Sequence, residues 1–173
     1  MEFSIERAVT QDFQALANVI HTVWEKIENK DWFVADHADF IHDLLQHQNG
    51  IGYKAMVKES GIIAGVFVVT FPGRQEENLG WDMGLPEEEL EKVAHMESVA
   101  ILPEYRGNGL QYALMQAAEK ELRQRGYGYL MCTIHPENVY SKENAIRQGY
   151  EVVMTKEKYG GLVRDILLKK INE

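Results

Sequence analysis

The stretch "PEYRGNGLQYALM", residues 103–115, limits what this chain can become more than any other segment. A strand-like run, "AHMESVAI" at 94–101, leads into it. A helix-period run leaves it, with Leu110, Ala113, Leu114, Ala117, Ala118 and Leu122 on one face, and continues to about Arg125 before Gly126 stops it. "YLMCTI" at 129–134 reads as the next strand, so the order is a βαβ unit. At the start of such a helix the free backbone N–H groups and the positive end of the helix dipole point outward. Gly107 and Gly109 remove side chains where a ligand would approach the backbone, and Arg106 adds a fork of charged donors suited to phosphate oxygens. The turn is either a pyrophosphate cradle or a plain strand-to-helix connection, and alone it favours neither.

Two nucleotide motifs do not fit. A dinucleotide fingerprint wants a third glycine where Tyr112 stands, and a P-loop wants Lys-Ser/Thr where Leu110-Gln111 follows. The surrounding chain supplies more strands and helices. Phe3, Ile5, Arg7 and Val9 alternate as a first strand. Thr10 then precedes a helical face of Phe13, Leu16, Ala17, Ile20, Trp24 and Ile27. A second helix starts near Asp36, carries Phe40, Ile41, Leu44 and Leu45, and stops before Gly50. Strands at 52–58 and 62–71 flank "ESG", the second apolar on both faces as a central strand would be. Residues 72–93 form a long polar excursion, with a short helix expected after Pro86. A last helix runs from about Val139 to Gln148, ended by Gly149, and "YEVVMT" and "LVRDILL" close a hairpin across "KEKYGG".

The resulting order is β-α-α-β-β-β-α-β-α-β-β. With 173 residues and neither repeat nor linker, the chain reads as one α/β domain over residues 1–173. Its net charge of −9, from 27 acidic and 18 basic residues, disfavours binding to a nucleic-acid backbone and could favour a cationic small substrate. The single cysteine, Cys132, makes no disulfide, and no Cys/His spacing suggests a metal site. No leader or membrane span is read, so the expected location is cytoplasmic, with no membrane partner. Nothing encodes the oligomeric state, and a homodimer stays open.

"MESVAILPEYRGNGLQYALM" resembles the central motif of the GNAT superfamily of acyl-CoA-dependent N-acetyltransferases, a pattern of Arg/Gln-x-x-Gly-x-Gly/Ala after a strand ending in Val-x-x-Pro. Arg106 and Gly109 match the first and fourth positions, and Gln111 departs from the last. "HPENVYSKENAIRQGY" resembles the family's "N…G-Phe/Tyr" segment through Asn138, Gly149 and Tyr150. The resemblance implies a mixed, mostly antiparallel sheet flanked by helices. It implies that acetyl-CoA is held by Arg106 and the turn of Gly107, Asn108, Gly109, Leu110 and Gln111. It also implies pantetheine pairing along Val99, Ala100 and Ile101, with Asn138 and Ser141 approaching the pantetheine arm.

Direct acetyl transfer needs a neutral amine, help for the carbonyl oxygen and a proton for the leaving thiolate. Glu97 shares a strand face with Val99 and Ile101 by period two, and the resemblance makes it the candidate base. Its other reading is a structural ion pair or a solvated strand end. A backbone N–H near Val99 is the candidate oxyanion donor if a bulge opens this strand. Many relatives carry a tyrosine where Ala145 stands here, which leaves Tyr140 as the substitute acid or else a rim aromatic. Cys132 and His135 fall on opposite strand faces, so Cys132 is read as a buried strand residue and His95 as an ordinary strand histidine. Trp32, Phe33, Trp81, Asp82 and Tyr159 offer aromatic faces and a carboxylate for an ammonium, or else anchor loops on the core. The expected function is acetyl-CoA-dependent N-acetylation of a small-molecule or peptide amine. A non-catalytic acyl-CoA sensor and a cofactor-free peptide-binding domain are the rivals.

Overall fold

The computed structural model describes residues 1–171. Its strands are β1 (Phe3–Arg7), β2 (Gly50–Val57), β3 (Ile63–Thr70), β4 (Val93–Ile101), β5 (Tyr129–Ile134), β6 (Glu151–Lys158) and β7 (Leu162–Lys170). Its α-helices are α1 (Phe13–Lys26), α2 (Ala38–Gln46), α3 (Leu110–Gln124) and α4 (Val139–Arg147). The strands form one seven-stranded mixed sheet in the order β1-β2-β3-β4-β5-β7-β6. β1/β2, β2/β3, β5/β7 and β6/β7 pair antiparallel, whereas β4/β5 is parallel. The fold class and the order of elements match the reading of the sequence.

The chain divides into two compact units, and β4 contributes to both, its end from Glu97 to the first and its start to the second. In the first unit, α1 buries Leu16, Ala17, Val19, Ile20 and Val23, and α2 buries Ile41, Leu44 and Leu45. β3 is buried continuously from Ala64 to Val69, as its two apolar faces require. Arg7 of β1 grips Glu121 of α3 with two N–H groups, at 2.8 and 3.0 Å, and the hydroxyl of Tyr53 donates to the same carboxylate at 2.6 Å.

Gly50 is where β2 begins, and no larger residue fits there. A Cβ on it would sit 2.1 Å from the Val69 carbonyl oxygen and 2.7 Å from Leu44 Cδ2. Relief would require moving a sheet backbone that is already paired from Gly50 to Thr70. Gly50→Ala is therefore expected to cost about 2–3 kcal/mol of stability, read as a lower urea midpoint at unchanged slope. An unmoved midpoint would show that the strand gives way freely.

The second unit has its own core of Leu79, Val93, Tyr129, Met131, Ile166 and Leu168, with Met83, Leu85, Val153 and Met154 packed against it. Residues 72–93, read as a polar excursion, thus supply core. Asn78, fully buried, donates to the carbonyls of Gly73 at 2.6 Å and Leu90 at 3.0 Å and accepts from the Gly80 amide at 2.7 Å. One side chain satisfies the turning backbone from inside. The short helix expected after Pro86 is 3-10, over Glu87–Lys92.

Candidate active site

β4 alternates as a strand at the sheet surface should. Ser98 and Ala100 are buried, whereas Glu97 is exposed and Val99 and Ile101 are half-buried on the opposite face. Among the described residues the parallel ladder with β5 covers Val93–His95 against Tyr129–Met131, and none pairs with β5 from Met96 onward. The β4 main chain from Met96 onward thus has groups that β5 does not pair, of the kind an extended ligand can engage as an added strand would.

Burial pushes the Glu97 carboxyl up to about 7, the nearby charge of Asp36 adds to the rise, and the Thr70 hydroxyl, 3.5 Å away, opposes it. Water still reaches the side chain. Protein surrounds the carboxylate closely enough to strip much of its hydration yet leaves it open to a solute. At neutral pH such a group is divided between its acid and base forms, which suits it to take a proton from an amine.

Two residues past β4 the chain enters a 3-10 turn, Pro103–Tyr105, and then the glycine turn. Gly107 and Gly109 adopt φ of +83° and +69°, which side-chain-bearing residues rarely tolerate. A Cβ at either would meet nothing within 4 Å, so the space in front of the turn is open. Asn108 ties the turn from behind, its Nδ2 donating to the Tyr105 carbonyl at 2.8 Å. The Ala113 amide is the first of α3 to bond back to the turn, to the Gly109 carbonyl at 3.0 Å. The amides from Gly107 to Tyr112 thus have no backbone acceptor among the described residues. Arg106 beside them is exposed and forms no ion pair among the described residues. Free amides heading a fifteen-residue helix, an unpaired guanidinium and an open approach form an anion cradle.

The second unit holds the other residues singled out in the sequence. Asn138 caps α4 by accepting from the Ser141 amide at 3.4 Å, and Tyr140 stands exposed in its first turn. Ala145 is buried, so the position where relatives carry a tyrosine faces packing here. Trp32 stacks on His135 with ring centroids 5.6 Å apart, and Phe33 is half-buried beside it in sequence. Trp81 is exposed, and its indole N–H donates to the Gln75 carbonyl at 3.0 Å. The Asp82 carboxylate lies between Lys156 at 2.5 Å and Lys158 at 3.1 Å. Burial would raise its pKa, but the two lysines outweigh that and hold it below the usual carboxylate range. Its charge is already matched from within the protein. The hydroxyls of Tyr159 and Thr133 share a hydrogen bond of 2.7 Å, and the Arg164 guanidinium lies 6.0 Å from the Tyr159 ring centroid.

His95 and Cys132 are inert. The Nε2 of His95 accepts from the Leu79 amide at 3.0 Å, and burial, with help from the Lys158 charge, pushes its pKa down to about 4. Cys132 is partly accessible as a residue, but burial of its thiol pushes the pKa up to about 12, which removes the thiolate a nucleophile would need. Among the described residues no group of three or more His, Cys, Asp or Glu side chains could hold a metal ion. No helix among them is long and apolar enough to cross a membrane.

One polar network was not read from the sequence. Asp36, ahead of α2, accepts from Ser98 Oγ at 2.7 Å, and the His21 Nε2–H of α1 donates to the Asp36 carbonyl at 2.9 Å. The network is tied to β4 through Ser98, the residue after Glu97, and no motif or spacing announces it.

The family model for acetyltransferases of the GNAT family matches residues 14–150 of this chain. The chain belongs to the GNAT acetyltransferase family. Solved GNAT-like structures agree in fold. Arabidopsis thaliana NAA60, solved with acetyl-CoA, superposes with a TM-score of 0.77 at 11% identity, covering 99% of this chain and 100% of its own. A putative acetyltransferase, yncA of Salmonella typhimurium, solved with acetyl-CoA, gives 0.71 at 17% identity, covering 100% and 96%. The ribosomal-protein-S18-alanine N-acetyltransferase of Escherichia coli gives 0.72 at 15%, covering 99% and 96%. No curated protein matches this chain by sequence.

Proposed function

We propose that this GNAT protein transfers the acetyl group of acetyl-CoA to a primary amine of a small molecule or peptide, by direct attack within a ternary complex. The observation that carries the reading is Glu97: an accessible carboxyl held near neutral pH, on the strand that leads into an open anion cradle. The cradle fits the pyrophosphate of coenzyme A, since free amides, Arg106 and the space before Gly107 and Gly109 are what two linked phosphates require. The acetyl-CoA complexes of the Salmonella and Arabidopsis neighbours support the same choice.

Each residue then has a task. The turn from Arg106 to Gln111 holds the coenzyme, and the Gln111 side chain is no obstacle, because the main-chain amide is the donor there. Val99, Ala100 and Ile101 pair with the pantetheine amides through β4 groups that have no β5 partner. Asn138 and Ser141 are assigned to the pantetheine arm on the family resemblance. Glu97 takes a proton from the acceptor ammonium, the neutral amine attacks the thioester carbonyl, and a β4 amide near Val99 receives the developing oxyanion. The nitrogen sheds its second proton to water, the bond from carbonyl carbon to sulfur breaks, and the thiolate takes its proton from Tyr140 or from water. Trp32, Phe33, Trp81, Asp82 and Tyr159 are the residues we assign to recognition of the acceptor. Of these the aromatic rings do the recognising, because Asp82 is neutralised by its lysines.

Thiol release from acetyl-CoA, followed across polyamines, amino acids, aminoglycosides and peptides with free N-termini, tests the reading. At least one amine is expected to raise release well above hydrolysis. Acetyl-CoA binding by calorimetry without turnover on any amine would instead leave an acyl-CoA sensor, and no binding would remove both.

A further inference from the structure

Arg164 of β7 is 3% exposed, yet no carboxylate pairs with it among the described residues. Its guanidinium donates to two main-chain carbonyls, that of Val163 at 2.9 Å and that of Asp31, and lies 6.0 Å from the Tyr159 ring centroid. A buried cation is ordinarily matched by an anion. The neighbouring acid is turned away. Arg164 pairs with Lys156 across β6 and β7, so both side chains leave the sheet on one face, whereas Asp165 leaves on the other and is held there by Lys142 at 2.7 Å. Lys158 shares the face of Lys156 by period two, and Asp82 is the one carboxylate paired with any of these three cations among the described residues. A second donor stands at the same junction. The Asp31 carbonyl that receives Arg164 belongs to the 3-10 turn Lys30–Trp32, and the indole N–H of Trp32 is buried with no hydrogen-bond acceptor among the described residues. Stacking on His135, at 5.6 Å between ring centroids, orients that indole instead. What lies over Arg164 is surface: Tyr159 is 56% exposed, and Lys30 and Asp31 of the turn are exposed.

We propose that Arg164 and the Trp32 indole bind a carboxylate of the acceptor, so that the substrate is an amino-carboxylate: an amino acid, or a short peptide whose C-terminus is free. The inference rests on the reading of this chain as an acetyltransferase whose acceptor meets Trp32 and Tyr159, and it deepens that reading by naming the second group on the acceptor. The planar fork of a guanidinium matches the two oxygens of a carboxylate, and the indole N–H adds a neutral donor beside it. In a site so shielded from water, an entering anion gains the charge of Arg164 with little screening. A carboxamide in the same place leaves that charge unmatched, which makes the site selective as well as attractive. A polyamine brings further positive charge toward Arg164, Lys156 and Lys158, and is discriminated against by repulsion. The net charge of −9 suggested a cationic substrate, but the charges on this face of β6 and β7 favour the opposite sign. The Tyr159 hydroxyl, bonded to Thr133 at 2.7 Å, keeps its ring beside Arg164 as a wall of the site.

The test is kcat/KM from thiol release for matched acceptors: free amino acids and dipeptides, each beside its own carboxamide, with putrescine as an amine that has no carboxylate. In wild type at least one free acid is expected to exceed its carboxamide by roughly 10- to 100-fold, the range of a hydrogen bond to a charged group. The amino-acid and dipeptide arms show which of the two brings the carboxylate. Arg164→Gln loses the charge and should bring the ratio of acid to carboxamide to within about threefold, chiefly through a higher KM for the acid. Arg164→Lys keeps the charge without the fork and should retain part of the preference. Trp32→Phe keeps a ring to stack on His135 without the N–H and should lower the ratio several-fold. These last two variants decide the matter if Arg164→Gln does not fold. Equal use of acid and carboxamide by wild type, or turnover of putrescine alone, overturns the inference and leaves acetyl transfer standing. So does a full preference kept in Arg164→Gln, or in both Arg164→Lys and Trp32→Phe, even where the rates on acid and carboxamide fall together, because Arg164 is then structural. Absence of thiol release with every amine overturns the reading as an acetyltransferase, and this inference with it.

Discussion

Glu97→Gln is expected to lower acetyl transfer by roughly 10²- to 10⁴-fold at pH 8, the range over which a positioned general base contributes. Glutamine keeps the size of the side chain and its reach to Thr70 but cannot take a proton from an ammonium. In wild type the rate should climb with pH through about 7, because burial and Asp36 raise the Glu97 carboxyl and only its ionised form is a base. That limb should vanish in the variant. Coenzyme affinity should not change, since the turn proposed to hold the pyrophosphate lies beyond the strand. Thiol release measured from pH 5.5 to 9 separates the possibilities, and a variant within twofold of wild type at every pH would remove Glu97 from the chemistry.

Arg106→Glu is expected to weaken acetyl-CoA binding by on the order of 10²- to 10³-fold, from the loss of charge-assisted hydrogen bonds together with a new like charge facing the pyrophosphate. Arg106 is exposed and makes no ion pair among the described residues, so its replacement should not disturb folding. Arg106→Lys keeps a point charge without the planar fork, and an intermediate loss of roughly tenfold is expected. Calorimetric titration with acetyl-CoA reads both. An affinity within threefold of wild type in Arg106→Glu would leave the amides of the turn as the whole of the cradle and remove the arginine from it.

What was legible in the sequence is what repeats locally. The strand at 129–134 is observed with the same bounds, and the helix read to about Arg125 ends at Gln124, because period two, period 3.6 and a glycine stop are written in consecutive residues. The glycine turn was legible for the same reason, since positive φ at Gly107 and Gly109 leaves its mark as residue type. Contacts across long separations leave no such mark. Asp36 meets Ser98 across 62 residues, and Asp82 meets Lys156 across 74, so the sequence offered Asp82 as an acceptor contact without showing the lysines that occupy it, and it passed over Asp36. Residues 72–93 misled differently. Their polar composition read as surface, yet Asn78 satisfies the backbone from inside and lets Leu79 and Leu90 enter the core.

The clamp that holds this segment is sensitive to acid. His95 must stay neutral at Nε2 to accept the Leu79 amide, and its folded pKa of about 4 lies below the ordinary value of 6.5. Its contribution to stability is therefore full above about pH 6.5 and is lost as pH falls toward and through 4. Mild acid should release residues 72–93 before the rest of the chain opens, exposing Leu79 and the peptide bonds around it. Limited proteolysis at pH 4.5 should cut within this segment first, and His95→Gln, which cannot take up the proton, should flatten the difference in cutting between pH 4.5 and pH 7.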